Sequence, residues 1–224
     1  MSEEKAKDWF KKDAFSKFDN EKINQFASLL EQEGEIRGLI GPKELPRLWE
    51  RHLLNSAAPF IVLQNKIKKP ISTLVDIGSG AGFPGIVLAI LMPGTNIYLV
   101  ESMHKRCEWL EYVKSKLELN NVFIINERSE DAQNLGLIPP ADIVTARAVA
   151  ALEKLAAWTM PFLRHGGHLL ALKGEKASNE LEKAKYKLKK FKSVKLENGN
   201  YGEVVKVEFG EDLEPTNIVD VRRI

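Results

Sequence analysis

Residues 74–85 read Leu-Val-Asp-Ile-Gly-Ser-Gly-Ala-Gly-Phe-Pro-Gly. They set Gly78, Gly80, Gly82 and Gly85 within eight residues, just after the carboxylate of Asp76. An apolar run that stops at glycines and resumes at 86–91 predicts a strand, a tight turn and a helix. Glycine tolerates positive φ there and has no Cβ to hold off a ligand. The new helix offers unpaired N–H groups and a partial positive charge. Residues 80–85 match the glycine spacing of a dinucleotide fingerprint. They also have P-loop spacing, but Ile86-Val87 stand where Lys and Ser/Thr are required, which rejects that reading. Asp76 separates what remains. An acid two residues before the first glycine repels a pyrophosphate and suits a cationic ligand. S-adenosylmethionine carries an ammonium and a sulfonium and no phosphate, so the Asp-x-Gly-x-Gly-x-Gly order favours it over a turn that merely packs tightly.

Other groups with chemical potential lie downstream. Glu101 follows an apolar stretch, 96–100, and stands 25 residues beyond Asp76, about where a doubly wound fold places its ribose-binding acid. A carboxylate there accepts both ribose hydroxyls. Ser102 follows it. Ser129 and Glu130 lie just past the apolar 122–125 and are placed by topology to reach an adenine edge. Arg147 ends the apolar 141–147, at the edge where open α/β sheets bind ligands, and its fork suits a carboxylate or phosphate. Lys173 ends 168–173. Arg51-His52 sits on an amphipathic stretch; taken alone, it reads as a surface Arg and a half-buried His. Cys107 reads as a packing residue, with no nucleophile constellation near it.

These residues need elements to hold them. Strands are expected at 73–76, 96–100, 122–125, 141–147 and 168–173, with helices at 86–91, 103–119, 152–160 and 175–192. A closing antiparallel pair is expected at 193–197 and 204–209. The alternation predicts an α/β fold: a mostly parallel seven-stranded sheet with helices on both faces. Residues 1–65 predict a helical extension, interrupted by Gly34, Gly38, Gly41 and Pro42 and resumed over 42–58, packed on a domain spanning 66–224. The 175–192 helix is lysine-rich, and a solvated face and a phosphate-contacting edge both remain open for it. The chain has 224 residues, 44% hydrophobic, with net charge +2 and one cysteine. This balance does not by itself announce nucleic acid. It excludes an internal disulfide framework and fits a reducing compartment. No apolar leader or membrane-length run stands out, so a soluble cytoplasmic protein is expected.

Taken together, Arg51-His52-Leu53-Leu54-Asn55-Ser56, the 76–85 motif, Glu101-Ser102, Ala146-Arg147-Ala148 and Leu172-Lys173-Gly174 resemble the glucose-inhibited division protein B family, the bacterial small-subunit rRNA guanine-N7 methyltransferases. The likeness runs from about residue 20 to about residue 210. It implies a class I, Rossmann-like methyltransferase fold and S-adenosylmethionine as cofactor, held by Gly78, Phe83, Ser129, Glu130 and Arg147. Asp76, Ser79, Gly80, Gly82, Glu101 and Ser102 join that set from the motif reading. It further implies methylation of N7 of a guanine in 16S rRNA, near the decoding site, at position 527. The partner would be the small subunit or its precursor, met by a monomer. Arg147, Lys173, Arg51 and His52 are the candidates for positioning RNA; no residue stands out as a chemical catalyst, and no metal is expected. Guanine N7 has a free lone pair and no proton, so no general base is needed. The chain departs from the family pattern at Asn55, at Ala146 and over 38–42. An NAD-dependent oxidoreductase, a non-catalytic ribosome-assembly factor, and a methyltransferase for a small molecule or protein remain as alternatives.

Overall fold

In the computed structural model, residues 2–11, 20–67 and 69–224 are described. Part of the expected N-terminal extension, 12–19, and residues 1 and 68 lie outside them. Five parallel strands follow the expected order: β1 (Thr73–Ile77), β2 (Asn96–Val100), β3 (Val122–Ile125), β4 (Ala141–Arg147) and β5 (Leu163–Lys173), the last starting before the expected 168 and running through Gly166-Gly167. Helices α1 (Ser2–Phe10), α2 (Asn20–Glu33) and α3 (Asn55–Lys66) precede them. Then α4 (Gly85–Leu91), α5 (His104–Lys116), α6 (Ser129–Asn134), α7 (Leu152–Thr159) and α8 (Ala177–Lys190) alternate with or follow the strands. Strands β6 (Glu203–Val207) and β7 (Thr216–Arg222) complete the sheet in the order β3-β2-β1-β4-β5-β7-β6. The order reverses between β1 and β4, which opens a crevice above their carboxyl ends.

Strand alternation sorts the side chains into two cores. Leu74, Ile97, Leu99, Ile143 and Leu170 meet α1 to α5, whereas Val75, Ile77, Val144, Leu169 and Val219 meet α7 and α8. The helices before β1 therefore share one core with α4 and α5. Among the described residues, no helix is long and apolar enough to cross a membrane.

The chain terminus differs from the expected hairpin. Residues 193–197 form no strand, only a bridge from Ser193 to Arg223 and a tight turn in which Leu196 N–H donates to Asn200. Strand β6 pairs with β7, which also pairs antiparallel with β5. Strand β7 buries Ile218, Val219 and Val221 completely. That two-sided burial, and the long-range pairing it needs, outweighs the local turn signal at Asn198-Gly199.

The resumed helix also differs. A 3-10 turn (Leu45–Arg47) leads into a π-helical segment (Leu48–Leu54), and α3 then runs past Pro59 to Lys66 instead of ending at 58. Proline costs about 3 kcal/mol in a helix interior. Burial of Phe60, Val62 and Leu63, at about 1.5–3 kcal/mol each, exceeds that cost.

Gly85 shows why the turn needs glycine. A Cβ there would lie 2.2 Å from Leu99 Cδ2 and 2.7 Å from Asp76 Oδ2. Leu99 is fully buried, and Asp76 Oδ2 accepts the Gly85 N–H, so neither can withdraw. Gly85→Ala is expected to lower the melting temperature by about 5–10 °C, read by calorimetry.

Candidate functional site

The crevice above β1 and β4 holds three connected spaces. The first, about 280 Å³, lies between Val100, Glu101, Ser129, Glu130 and Trp158. The second, about 440 Å³, lies over the glycine loop and is lined by Gly78, Ser79, Gly80, Phe83, Glu101 and Arg147. Ser102 borders both. The third is an outer cleft of about 900 Å³, bounded by Arg51, His52, Arg147 and Lys173. His52 and Arg147 stand where the second space meets the third. The structure thus gathers most of the expected site residues along one groove.

Asp76 and Gly82 are the exceptions. Asp76 is 0% exposed and does not face the groove. Its register partner on β4 is Thr145, and strand alternation turns both side chains toward α4. Oδ1 accepts from Thr145 Oγ1 at 3.1 Å and Oδ2 from the Gly85 N–H at 3.1 Å. Burial pushes its carboxyl up to about 6, against the hydrogen bonds from Ser79, Thr145 and Gly85. The expectation of a direct contact with a cationic donor is corrected: Asp76 braces the loop from below. Gly82 likewise faces inward, since a Cβ there would lie 2.7 Å from Ile86 and 3.1 Å from Phe26.

Glu101, 4% exposed, holds the loop from the other side. Its Oε2 accepts from Gly80 N–H at 3.0 Å and its Oε1 from Met103 N–H at 2.9 Å. The N–H groups of Gly78 and Ser79 are given to Val100, and those of Gly82 and Phe83 to Ser79. A pyrophosphate needs such N–H groups free. Here they are engaged, and one of them by a carboxylate that repels phosphate. The donor set therefore fits a phosphate-free nucleoside: a carboxylate beside a ribose diol, with Ser129 and Glu130 near a base. The Ser129 hydroxyl is 3.0 Å from Glu130 Oε2. Burial raises the Glu130 carboxyl, but hydrogen bonds from its own backbone, Ser129 and Trp158 outweigh that and leave it below the usual range. Cys107 is buried, with its thiol pushed up to about 11 by that burial, and packs as expected.

Arg147 and His52 form a coupled pair. Arg147 donates to the Arg51 carbonyl at 3.1 Å and to His52 Nδ1 at 2.7 Å, and its guanidinium lies 4.8 Å from the Phe83 ring centre. An arginine cannot accept. His52 Nδ1 must therefore carry the lone pair, and Nε2–H donates to Glu44 Oε2 at 3.1 Å. Burial, then the Arg147 charge, lowers the imidazole to about 4. Protonation would break the bond to Arg147. The unfolded chain binds that proton near pH 6.5, so the His52 contribution to stability is present above that value and lost as pH falls toward about 4. The buried Asp76 carboxyl, raised in the fold, works in the opposite direction over an overlapping window. The expected result is specific to the imidazole: its NMR resonances stay fixed from about pH 8 to about pH 5. A midpoint near 6.5 would contradict the pairing.

Lys173 lines the outer cleft, but its ammonium is paired with Glu180 at 2.8 Å and bonded to the Ala150 carbonyl. Helix α8 buries Ala177, Leu181, Ala184 and Leu188. The residues it brings to the cleft are the acid Glu180 and, just before it, Glu175, and none of its lysines line the cleft. Among the departures, Asn55 lines the outer cleft and bonds Thr216 at 2.8 Å. Ala146 is buried in the core. Leu39 and Ile40, from the 38–42 stretch, line the glycine-loop space. Sequence reasoning missed these two, along with Val149, Trp158 and Glu44. Each enters by long-range packing, and none carries a local motif.

The sequence pattern of the family described as rRNA small subunit methyltransferase G matches residues 19–204. The ribosomal RNA small subunit methyltransferase G of Streptomyces avermitilis is 45% identical, over 84% of this chain and 79% of that one. Its counterpart from Bifidobacterium longum is 41% identical, over 89% and 90%. Among solved structures, an O-methyltransferase from Bacillus cereus in complex with SAH superposes with a TM-score of 0.58 at 12% identity, covering 89% of this chain and 91% of that one. TYW2 from M. jannaschii with AdoMet gives 0.55 at 21% identity, covering 75% and 77%. At these identities the structures show a shared fold: the seven-stranded class I methyltransferase sheet.

Proposed function

The chain belongs to the rRNA small subunit methyltransferase G family, and from that membership we propose that it transfers a methyl group from S-adenosylmethionine to N7 of a guanine in 16S rRNA. The observation that carries the reading is the glycine loop. The N–H groups of Gly78, Ser79, Gly82 and Phe83 are engaged internally, Glu101 caps Gly80, and the loop space opens onto a cleft bounded by Arg51, His52 and Arg147.

When bound, the cofactor supplies a methyl group on a sulfonium, already activated toward a nucleophile. Glu101 holds the ribose hydroxyls, Ser129 and Glu130 meet the adenine, and Gly78, Ser79, Phe83 and Arg147 line the remainder of the donor space. The attacking N7 uses its own lone pair, so the protein need not remove a proton. Arg147 sits between donor space and outer cleft, with Arg51 and His52 beside it. Placing the base in line is the work these residues do. An arginine gives no electrostatic help to a migrating positive charge, so its role is orientation of acceptor atoms. Asp76 acts one layer below, by holding the start of α4.

We further read the protein as a cytoplasmic monomer acting on the small subunit or its precursor, with residues 1–65 as an extension forming the RNA-side wall of a 66–224 catalytic domain. Mass mapping of methylated guanines in 16S rRNA, from cells with and without this protein, tests the reading. One N7-methylguanine should disappear with the protein. An unchanged map, with binding to subunits retained, would favour an assembly factor without transfer.

A further inference from the structure

Helix α1 lies outside the 19–204 stretch that the family pattern covers, yet it grips the wall of the outer cleft. Ala6, Trp9 and Phe10, at helical spacing, are all buried. The edge of Phe10 meets Trp49 at 6.3 Å between ring centres, and Trp9 meets Phe209 at 5.4 Å. Lys5 pairs with Asp212. The helix therefore touches two segments, the π-helical turn at Leu48–Leu54 and the stretch before β7.

The first N–H groups of any helical turn have no carbonyl behind them. In this turn two of them are met by a side chain from α1. Glu3 Oε2 accepts from Trp49 N–H at 2.9 Å and Glu3 Oε1 from Glu50 N–H at 3.0 Å. Glu50 Oε1 in turn accepts from Glu214 N–H at 3.0 Å, and the Glu214 carboxylate pairs with Arg47 at 2.9 Å and Arg51 at 3.5 Å. The same turn then presents the Arg51 carbonyl and His52 to Arg147. A π turn is a one-residue excess over α-helical winding. Relaxing it to α geometry would rotate residues on one side by about 100° relative to the other. Arg51 and His52 would then leave the cleft.

We propose that Glu3 is a positioning residue: by holding the N–H groups of Trp49 and Glu50, it keeps the π turn wound so that Arg51 and His52 face the RNA substrate. This rests on the methyltransferase reading above. The carboxylate touches neither donor nor base. Its effect is on where the backbone of the RNA-side wall lies, and the Glu101 bonds that hold the glycine loop are not touched.

The test compares full-length wild type with E3A and E3Q, using small ribosomal subunits from cells lacking this methyl group. E3A is expected to lower kcat/KM for subunits about tenfold, with S-adenosylmethionine affinity changed by less than about twofold. E3Q keeps one acceptor oxygen but turns its NH2 toward the other N–H, so a loss close to that of E3A is expected. An unchanged kcat/KM for subunits, or an equal loss of cofactor affinity, would overturn the assignment. Amide hydrogen exchange supplies a readout independent of turnover. In E3A, Trp49 and Glu50 should exchange about tenfold faster while the β4 amides stay protected. Unchanged exchange at 49 and 50, or a uniform rise across the chain, would also overturn it. If wild type itself transfers no methyl group to subunits, the functional reading fails and exchange alone decides the role of Glu3.

Discussion

Replacing Glu101 with alanine is expected to weaken S-adenosylmethionine binding about a hundredfold, the sum of two lost hydrogen bonds to a charged group. The carboxylate borders both the base-side and the loop-side spaces. It also holds the loop in shape, through Gly80 and Met103. Alanine removes the acceptor for a ribose diol and frees two N–H groups at once. Glu101→Gln is informative because it keeps the volume. Its amide must turn an NH2 toward one of the two N–H donors, and donors facing donors repel, so a loss close to that of alanine is expected. Calorimetric titration with S-adenosylmethionine reads the effect, and affinity equal to wild type would refute the placement. NAD should not bind wild type, since the N–H groups of Gly78, Ser79, Gly82 and Phe83 are engaged within the fold and that of Gly80 by Glu101.

Arg147→Ala is expected to lower kcat/KM for methyl transfer about 10²–10³-fold, the scale associated with losing placement at a reacting centre. The side chain is half-buried, and that desolvation lowers its guanidinium to about 10, so it stays charged at neutral pH. It stacks on Phe83 and fixes His52 and the Arg51 carbonyl with two separate N–H groups. Lysine keeps the charge but has neither the planar fork nor the stacking face. Arg147→Lys should therefore recover little of the loss. Single-turnover kinetics with saturating cofactor separates placement from affinity: recovery of the wild-type rate at saturation would assign Arg147 to cofactor binding alone.

Most of the sheet was legible because its strands are short apolar runs bounded by glycine, proline or charge. For β2, β3 and β4 even the ends agree with the structure. Helix ends were less legible: the expected 103–119 contracts to His104–Lys116, and 175–192 to Ala177–Lys190. Residues flanking a helix share its apolar spacing without its hydrogen bonds. Strand β7 was missed because polar Asn217 and Asp220 interrupt its apolar pattern. Its stability comes from pairing with β6 on one side and, on the other, with β5, which is distant in sequence.

The amino-acid order by itself determined the strand–glycine–helix unit, the alternation that builds a doubly wound sheet, and the place of Glu101 and Arg147 at strand ends. Those are consequences of local periodicity and of topology, and both are written along the chain. Only the tertiary structure decided which way Asp76 points, that His52 and Arg147 meet, that Leu48–Leu54 winds as a π turn, and that Glu3 caps it. Each depends on register or packing between segments far apart in sequence. A carboxylate's role follows from the face its strand turns it toward, and that face is chosen by what covers the sheet.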